Sequence, residues 1–121
     1  MRKRYETRKR ARVAMEVITS SWDDALEFET SDMSPQGAFV QSEILPTVGE
    51  HIVCVFTLEG TKREFALFGE VARVNLRRRR SDYGRPGFGV RFLDATPLDR
   101  LVMRHSLGRM LPQVPAFSRV A

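Results

Sequence analysis

The chain has 121 residues, enough for one hydrophobic core and too few for two domains of ordinary size. Hydrophobic residues make up 42% of it and charged residues 29%. This balance predicts a folded globular domain, and no apolar run approaches the ~18 residues of a membrane span. The net charge of +5 is uneven: residues 1–12 hold seven basic residues and one glutamate and so carry +6, while the rest of the chain sums to −1.

Residues 1–12 form a basic arm, which is expected to attract phosphates on a nucleotide, a nucleic acid or a membrane surface. We expect one folded unit over residues 13–111 and a flexible tail over residues 112–121. Cys54 is the only cysteine, so an intramolecular disulfide cannot form, and the basic start lacks the apolar segment of a signal peptide. A cytoplasmic location is therefore expected.

Apolar residues recur at every second position after the arm, beginning with Val13, Met15 and Val17. The same period returns at residues 26–29, 38–40, 64–75 and 88–92, and residues 51–58 form an almost continuous apolar run. Alternation is typical of half-buried strands, and a continuous run is typical of a strand covered on both faces. Six such short strands predict an all-β protein, a small antiparallel barrel or sandwich. Within the 64–75 segment, the residues expected on one face are Phe65, Leu67, Val71 and Arg73.

A helix is predicted after the last strand. Thr96 suits the N-cap, Pro97 the first helical position and Asp99 the third. The helix can run to about Leu111, because Pro112 cannot continue it.

The predicted helix carries two apolar stripes on roughly opposite sides. The first contains Leu98, Leu101, Val102 and His105, and the second contains Met103, Leu107, Met110 and Leu111. One stripe can cover the barrel, and contact with a partner is one candidate explanation for the second. A homodimer through the second stripe is one candidate.

Two short motifs and one weaker feature stand at informative positions. Arg8-Lys9-Arg10-Ala11-Arg12 is an Arg-x-x-x-Arg sequence directly before the first predicted strand, and Asp32-Met33-Ser34-Pro35-Gln36-Gly37 is an Asp-x-Ser-x-x-Gly sequence between two strands. Gly87-Phe88-Gly89 begins the last strand. In this order the three features resemble the PilZ domain family over roughly residues 8–93. The resemblance implies a six-stranded antiparallel barrel with a C-terminal α-helix that binds cyclic di-GMP.

The register of the first motif is open, because Arg4 and Arg8 form a second Arg-x-x-x-Arg pair. We prefer Arg8 and Arg12, because Arg12 directly precedes the first strand, as in the family pattern.

The motif residues suit a ligand with two guanines and two phosphates. Arg8 and Arg12 are expected on guanine edges and phosphates, because a guanidinium fork pairs with the O6 and N7 acceptors of guanine. Asp32 can accept hydrogen bonds from guanine N1–H and N2–H, and Ser34 can donate one to a phosphate oxygen or to the base. Gly37 permits a positive φ or a close backbone approach. The expected ligand contacts are Arg8, Lys9, Arg10, Arg12, Asp32, Ser34 and Gly37.

No catalytic constellation accompanies the motifs, so we expect a receptor that is not an enzyme and that uses no cofactor and no metal. Cyclic di-GMP is expected to reorder the arm, which then signals to a protein partner. Two alternatives stay open. A PilZ adaptor would bind no nucleotide, and a small basic nucleic-acid-binding barrel would use the arm together with Arg77, Arg78, Arg79 and Arg80. The phenylalanines, which fall mostly at core-like positions, make nucleic acid the less favoured ligand.

Overall fold

The structure is a computed structural model that describes residues 9–76 and 86–109, with the backbone alone described for Lys9 and Arg10. Within these ranges the elements in chain order are β1 (Lys9–Arg10), β2 (Ala14–Ile18), β3 (Leu26–Ser34), β4 (Gly37–Gln41), β5 (His51–Thr57), β6 (Glu64–Asn75), β7 (Gly87–Phe92) and α1 (Pro97–Gly108). Arg8, the arginines at 77–80, Met110, Leu111 and the predicted tail at 112–121 lie outside the described residues.

Six of the strands close into an antiparallel barrel. They follow the order β3-β2-β5-β6-β7-β4, and β4 pairs back with β3 to complete the ring. The short β1 also pairs with β3. The predicted six-stranded antiparallel barrel with a C-terminal helix is therefore confirmed.

The core fills the barrel from alternate positions of the strands, as the period of two predicts. Met15 and Val17 of β2 are fully buried, and their neighbours Glu16 and Ile18 are exposed. The prediction that residues 51–58 are covered on both faces is wrong, because Val53 and Val55, among others, point outward and are only half-buried.

Cys54 points into this core, where it is completely buried. Loss of water around the thiol raises its pKa to about 12. A thiol that stays protonated at neutral pH is a poor nucleophile and a poor metal ligand.

A bulge in β6 corrects the predicted position of Arg73. The pairing of β6 with β7 shifts between Val71 and Arg73, so Ala72 is an extra residue opposite β7. One extra residue reverses the alternation of side chains. Phe65, Leu67 and Val71 are buried as predicted, whereas Arg73 lies on the outer surface.

The helix begins as predicted. Thr96 is the N-cap, and its hydroxyl accepts a hydrogen bond from the Asp99 backbone N–H (3.0 Å), while Asp99 Oδ2 accepts one from the Thr96 N–H (2.9 Å). The helix ends at Gly108, before the predicted Leu111, because glycine is a weak helix former.

The helix packs on the barrel with the second stripe, for which contact with a partner was one candidate explanation. Met103 and Leu107 are 0% and 2% exposed, so they belong to the core and cannot form a dimer interface. Leu98 and Leu101 of the other stripe are exposed at 57% and 58%. The prediction had the two faces reversed, because periodicity identifies stripes but not which of them meets the barrel.

Candidate functional site

The Asp-x-Ser-x-x-Gly motif forms the tip of the β3–β4 hairpin. Asp32 and Ser34 lie among the last three residues of β3, and a two-residue turn leads to Gly37 at the start of β4. The buried Ser34 hydroxyl accepts a hydrogen bond from the Gln36 backbone N–H (3.1 Å), which holds the turn. The hydroxyl proton remains a donor in this arrangement.

Gly37 is required by close packing and not by its own backbone angle. A Cβ at this position would lie 2.1 Å from the carbonyl oxygen of Val90 in β7. Positive φ angles among the described residues occur at Gly49 and Gly60, not here. Of the two reasons that the sequence allowed for this glycine, the close backbone approach is the one observed.

The end of the basic arm runs along the strand that carries Asp32. In β1, Lys9 pairs with Met33 and Arg10 pairs with Asp32, in antiparallel register. On its other side Asp32 is opposite Phe39 of β4. The arm and the second motif, well separated in sequence, thus meet in the sheet.

Thr30 fastens the root of the arm to β3. Its hydroxyl accepts a hydrogen bond from the Val13 N–H (3.0 Å) and donates one to the Ala11 carbonyl oxygen. Backbone hydrogen bonds join the same segments, from the Thr30 N–H to the Val13 oxygen (3.0 Å) and from the Ala11 N–H to the Ser31 oxygen (3.2 Å). Because Ala11 and Val13 are buried, Arg12 between them faces solvent.

Arg12 lies at the rim of a cleft of about 660 Å³ between β2, β5 and the segment that joins β5 to β6. The cleft is lined by four carboxylates, from Glu16, Glu27, Glu59 and Glu64. This density of negative charge repels phosphates, so the size of the cleft does not make it the site for a nucleotide.

The residues expected to bind ligand are thus partly brought together. Arg10, Asp32, Ser34 and Gly37 share one end of β3 and its neighbouring strands, and Lys9 is next to them in β1. Arg12 follows on the same arm segment, and Arg8 is not described. Sequence reasoning missed Thr30, and it missed the outward position of Phe39, although Phe39 falls between the inward-facing Ala38 and Val40.

The family model for the PilZ domain matches residues 2–109, nearly the whole chain. This chain belongs to the PilZ domain family. No curated protein sequence matches it.

Solved structures of PilZ proteins have the same fold. The Bacillus subtilis inhibitor of motility (MotI/DgrA) superposes with a TM-score of 0.74 at 13% identity, over 90% of this chain and 51% of that one. The PilZ domain of Escherichia coli YcgR, solved with c-di-GMP, gives 0.66 at 17% identity over 89% and 93% of the two chains. The PilZ domain of CeSA from a cellulose-synthesizing bacterium gives 0.56 at 19% identity over 84% and 96%. The chain spans about half the length of the B. subtilis protein.

Two other features, a metal site and a membrane-spanning helix, are not seen in the part of the chain that the structure describes. No group of three or more histidine, cysteine, aspartate or glutamate side chains there is placed to hold a metal ion. The described residues, 9–76 and 86–109, contain no helix that is long and apolar enough to cross a membrane, and α1 itself has 12 residues.

Proposed function

We propose that this PilZ domain is a receptor for cyclic di-GMP that passes the signal to a protein partner through its arm and catalyses no reaction. The observation that carries the proposal is the register that sets Arg10 of the arm opposite Asp32 of the hairpin motif. The basic arm and the carboxylate that can accept hydrogen bonds therefore meet at the same end of β3. Cyclic di-GMP, with acceptors, donors and two negative charges, complements that set.

Each part of the ligand has a counterpart in this arrangement. Asp32 accepts hydrogen bonds from N1–H and N2–H of guanine, which adenine cannot offer in the same pattern. Arg8 and Arg12 pair with guanine O6 and N7 or with phosphate oxygens, because the guanidinium fork matches both bidentately. Lys9 and Arg10 add positive charge beside the phosphates. Ser34 shapes the turn and has a proton to donate.

The signal travels by way of the arm in this proposal. Residues 11–13 are fastened to β3 through Thr30, so the arm leaves the barrel directly beside Asp32. A ligand held between the arm and the hairpin fixes the path of the arm, and a protein partner reads that path. The E. coli YcgR domain solved with c-di-GMP and the B. subtilis inhibitor of motility are consistent with a ligand-binding, regulatory role. A cytoplasmic location goes with this role and with a single buried cysteine.

Calorimetry with cyclic di-GMP tests the receptor function. Arg8→Ala, Arg12→Ala and Asp32→Ala should each weaken binding by roughly tenfold to a hundredfold. A bidentate arginine–guanine pair is worth about 1–3 kcal/mol, and about 1.4 kcal/mol is a factor of ten. The three variants should keep the stability of the parent, because arm and hairpin residues contribute little to the core.

Arg2→Ala and Arg4→Ala are matched controls, since they remove the same charge from the same arm. Their effect should be a small electrostatic loss that disappears with added salt. If Arg4 matters more than Arg12, the motif register is wrong. If the parent protein binds no cyclic di-GMP, the receptor function is wrong and the adaptor alternative replaces it.

Two further measurements separate this function from its competitors. Cyclic di-AMP should bind much more weakly, and cyclic di-GMP incubated with the protein should be recovered unchanged. Linear dinucleotide formed by the parent and not by Asp32→Ala would show an enzyme. Tight oligonucleotide binding with a steep salt dependence would favour the nucleic-acid alternative.

A further inference from the structure

A row of outward-facing positions crosses four strands beside the hairpin motif. Asp32 of β3 is opposite Phe39 of β4, Phe39 is opposite Gly89 of β7, and Gly89 is opposite Arg73 of β6. Directly paired residues of antiparallel strands have their side chains on the same face of the sheet. The bulge at Ala72 is what brings Arg73 into this row.

Two glycines of β7 make a trough for the side chains of this row. A Cβ at Gly87 would lie 2.7 Å from a ring carbon of Phe39, and a Cβ at Gly89 would lie 3.0 Å from Nε of Arg73. The Gly87-Phe88-Gly89 sequence is explained by this trough: both glycines face outward beneath Phe39 and Arg73, and Phe88 faces the core.

Arg73 leans across the trough toward Phe39. Its Cζ lies 5.3 Å from the centre of the Phe39 ring, within the range of a cation–π contact. The side chain is exposed, and no carboxylate of the described residues forms an ion pair with it. The ring therefore holds the guanidinium in place without using its hydrogen-bond donors.

The strand order and the lean of Arg73 toward Phe39 bring its guanidinium within reach of the same base as Asp32. Asp32 lies on the strand next to that of Phe39, about 4.8 Å away, and on the side opposite to Arg73. A carboxylate and a guanidinium thus flank the Phe39 position from its two sides. Guanine has its N1–H and N2–H donors and its O6 and N7 acceptors on adjacent edges, which matches this pair of groups.

We propose that Arg73 is a specificity-determining residue that donates hydrogen bonds to O6 and N7 of the guanine whose N1–H and N2–H are accepted by Asp32. This assignment rests on the proposed cyclic di-GMP binding, and it adds to the two sequence motifs a third element from the far side of the sheet.

Calorimetry with cyclic di-GMP on three variants tests the role of Arg73. Arg73→Ala should bind at least about tenfold more weakly than the parent. Arg73→Lys should not restore affinity, because an ammonium lacks the planar fork. Arg100→Ala removes an exposed arginine on α1 and should bind like the parent. Thermal unfolding that is unchanged in all three variants excludes a loss of fold.

A ligand analogue separates guanine recognition from phosphate recognition. Cyclic di-GMP built with 7-deazaguanine lacks N7 and keeps the phosphates, O6 and both donors. In the parent the analogue should bind more weakly than cyclic di-GMP, and in Arg73→Ala that difference should be smaller. An equal difference in both proteins, or an Arg73→Ala variant that binds cyclic di-GMP like the parent, overturns the assignment while cyclic di-GMP binding stands. A parent that binds no cyclic di-GMP overturns both.

Discussion

Replacing Thr30 by valine should release the root of the arm without changing the shape of the side chain. The completely buried hydroxyl of Thr30 serves two backbone groups, the N–H of Val13 and the carbonyl of Ala11. Valine fills the same space and leaves both groups without their partner. Because Val13 and Ala11 are 5% and 2% exposed, water does not readily replace the lost hydrogen bonds.

The expected cost follows from these two groups. An unpaired buried backbone group costs about 1–3 kcal/mol, so the lower end for two groups gives about 2 kcal/mol in the free energy of unfolding. With a urea dependence of about 2 kcal/mol per M, the unfolding midpoint should fall by about 1 M. The Val13 amide should also lose protection from hydrogen exchange, and cyclic di-GMP should bind more weakly, because the arm no longer leaves the barrel at a fixed point.

Urea unfolding and amide exchange, measured on Thr30→Val and on Thr57→Val, check this reasoning. Thr57 is an exposed threonine of β5, so the same chemical change there should alter stability by less than about 0.5 kcal/mol. If the two variants have equal midpoints and the Val13 amide keeps its protection in Thr30→Val, Thr30 does not fasten the arm.

Three other predictions concern the hairpin, an acidic side chain and the helix. Gly37→Ala places a Cβ against the Val90 carbonyl oxygen and should destabilise the protein by about 1–3 kcal/mol or more in urea unfolding, with weaker binding of cyclic di-GMP. The carboxylate of Glu50 accepts hydrogen bonds from the Ser21 and Thr19 hydroxyls and from the Thr47 backbone N–H. These bonds, the one from Ser21 most, lower its pKa from the ordinary 4.5. A lowered pKa in the folded state adds stability above pH 4.5 that is lost as the pH falls through the lowered value, so Glu50→Gln should flatten the acid side of the curve of melting temperature against pH. Leu107→Ala should cost about 2–5 kcal/mol, because the side chain is buried, whereas Leu101→Ala on the exposed face should stay within about 0.5 kcal/mol. Equal thermal stability of the two leucine variants would contradict the packing of α1.

Much of the fold could be predicted because its signals are local. The alternation at Val13, Met15 and Val17 identifies a half-buried strand, since neighbouring side chains of any strand point to opposite faces. The start of the helix could also be predicted, because Thr96 and Asp99 satisfy each other's backbone groups within four residues. The two motifs themselves were visible in the sequence.

The sites where the prediction failed depend on partners that are distant along the chain. Arg73 was expected on the same face as Phe65, Leu67 and Val71, and its outward position depends on the bulge opposite β7, which a single strand does not reveal. For Met103 and Leu107 a partner was one candidate, although they complete the core, because both helix stripes are apolar and only the barrel decides which one is covered.

The sequence by itself determined the strand pattern and the helix start, because both depend on interactions between residues that are close along the chain. It also showed the charged arm and the two motifs. Only the tertiary structure decided which of these residues meet. The pairing of β1 with β3 sets Arg10 beside Asp32, and the pairing of β4, β7 and β6 aligns Phe39 with Arg73. The physical reason is that strand register depends on every bulge and close glycine contact across the sheet, and a shift of one residue turns each side chain to the opposite face.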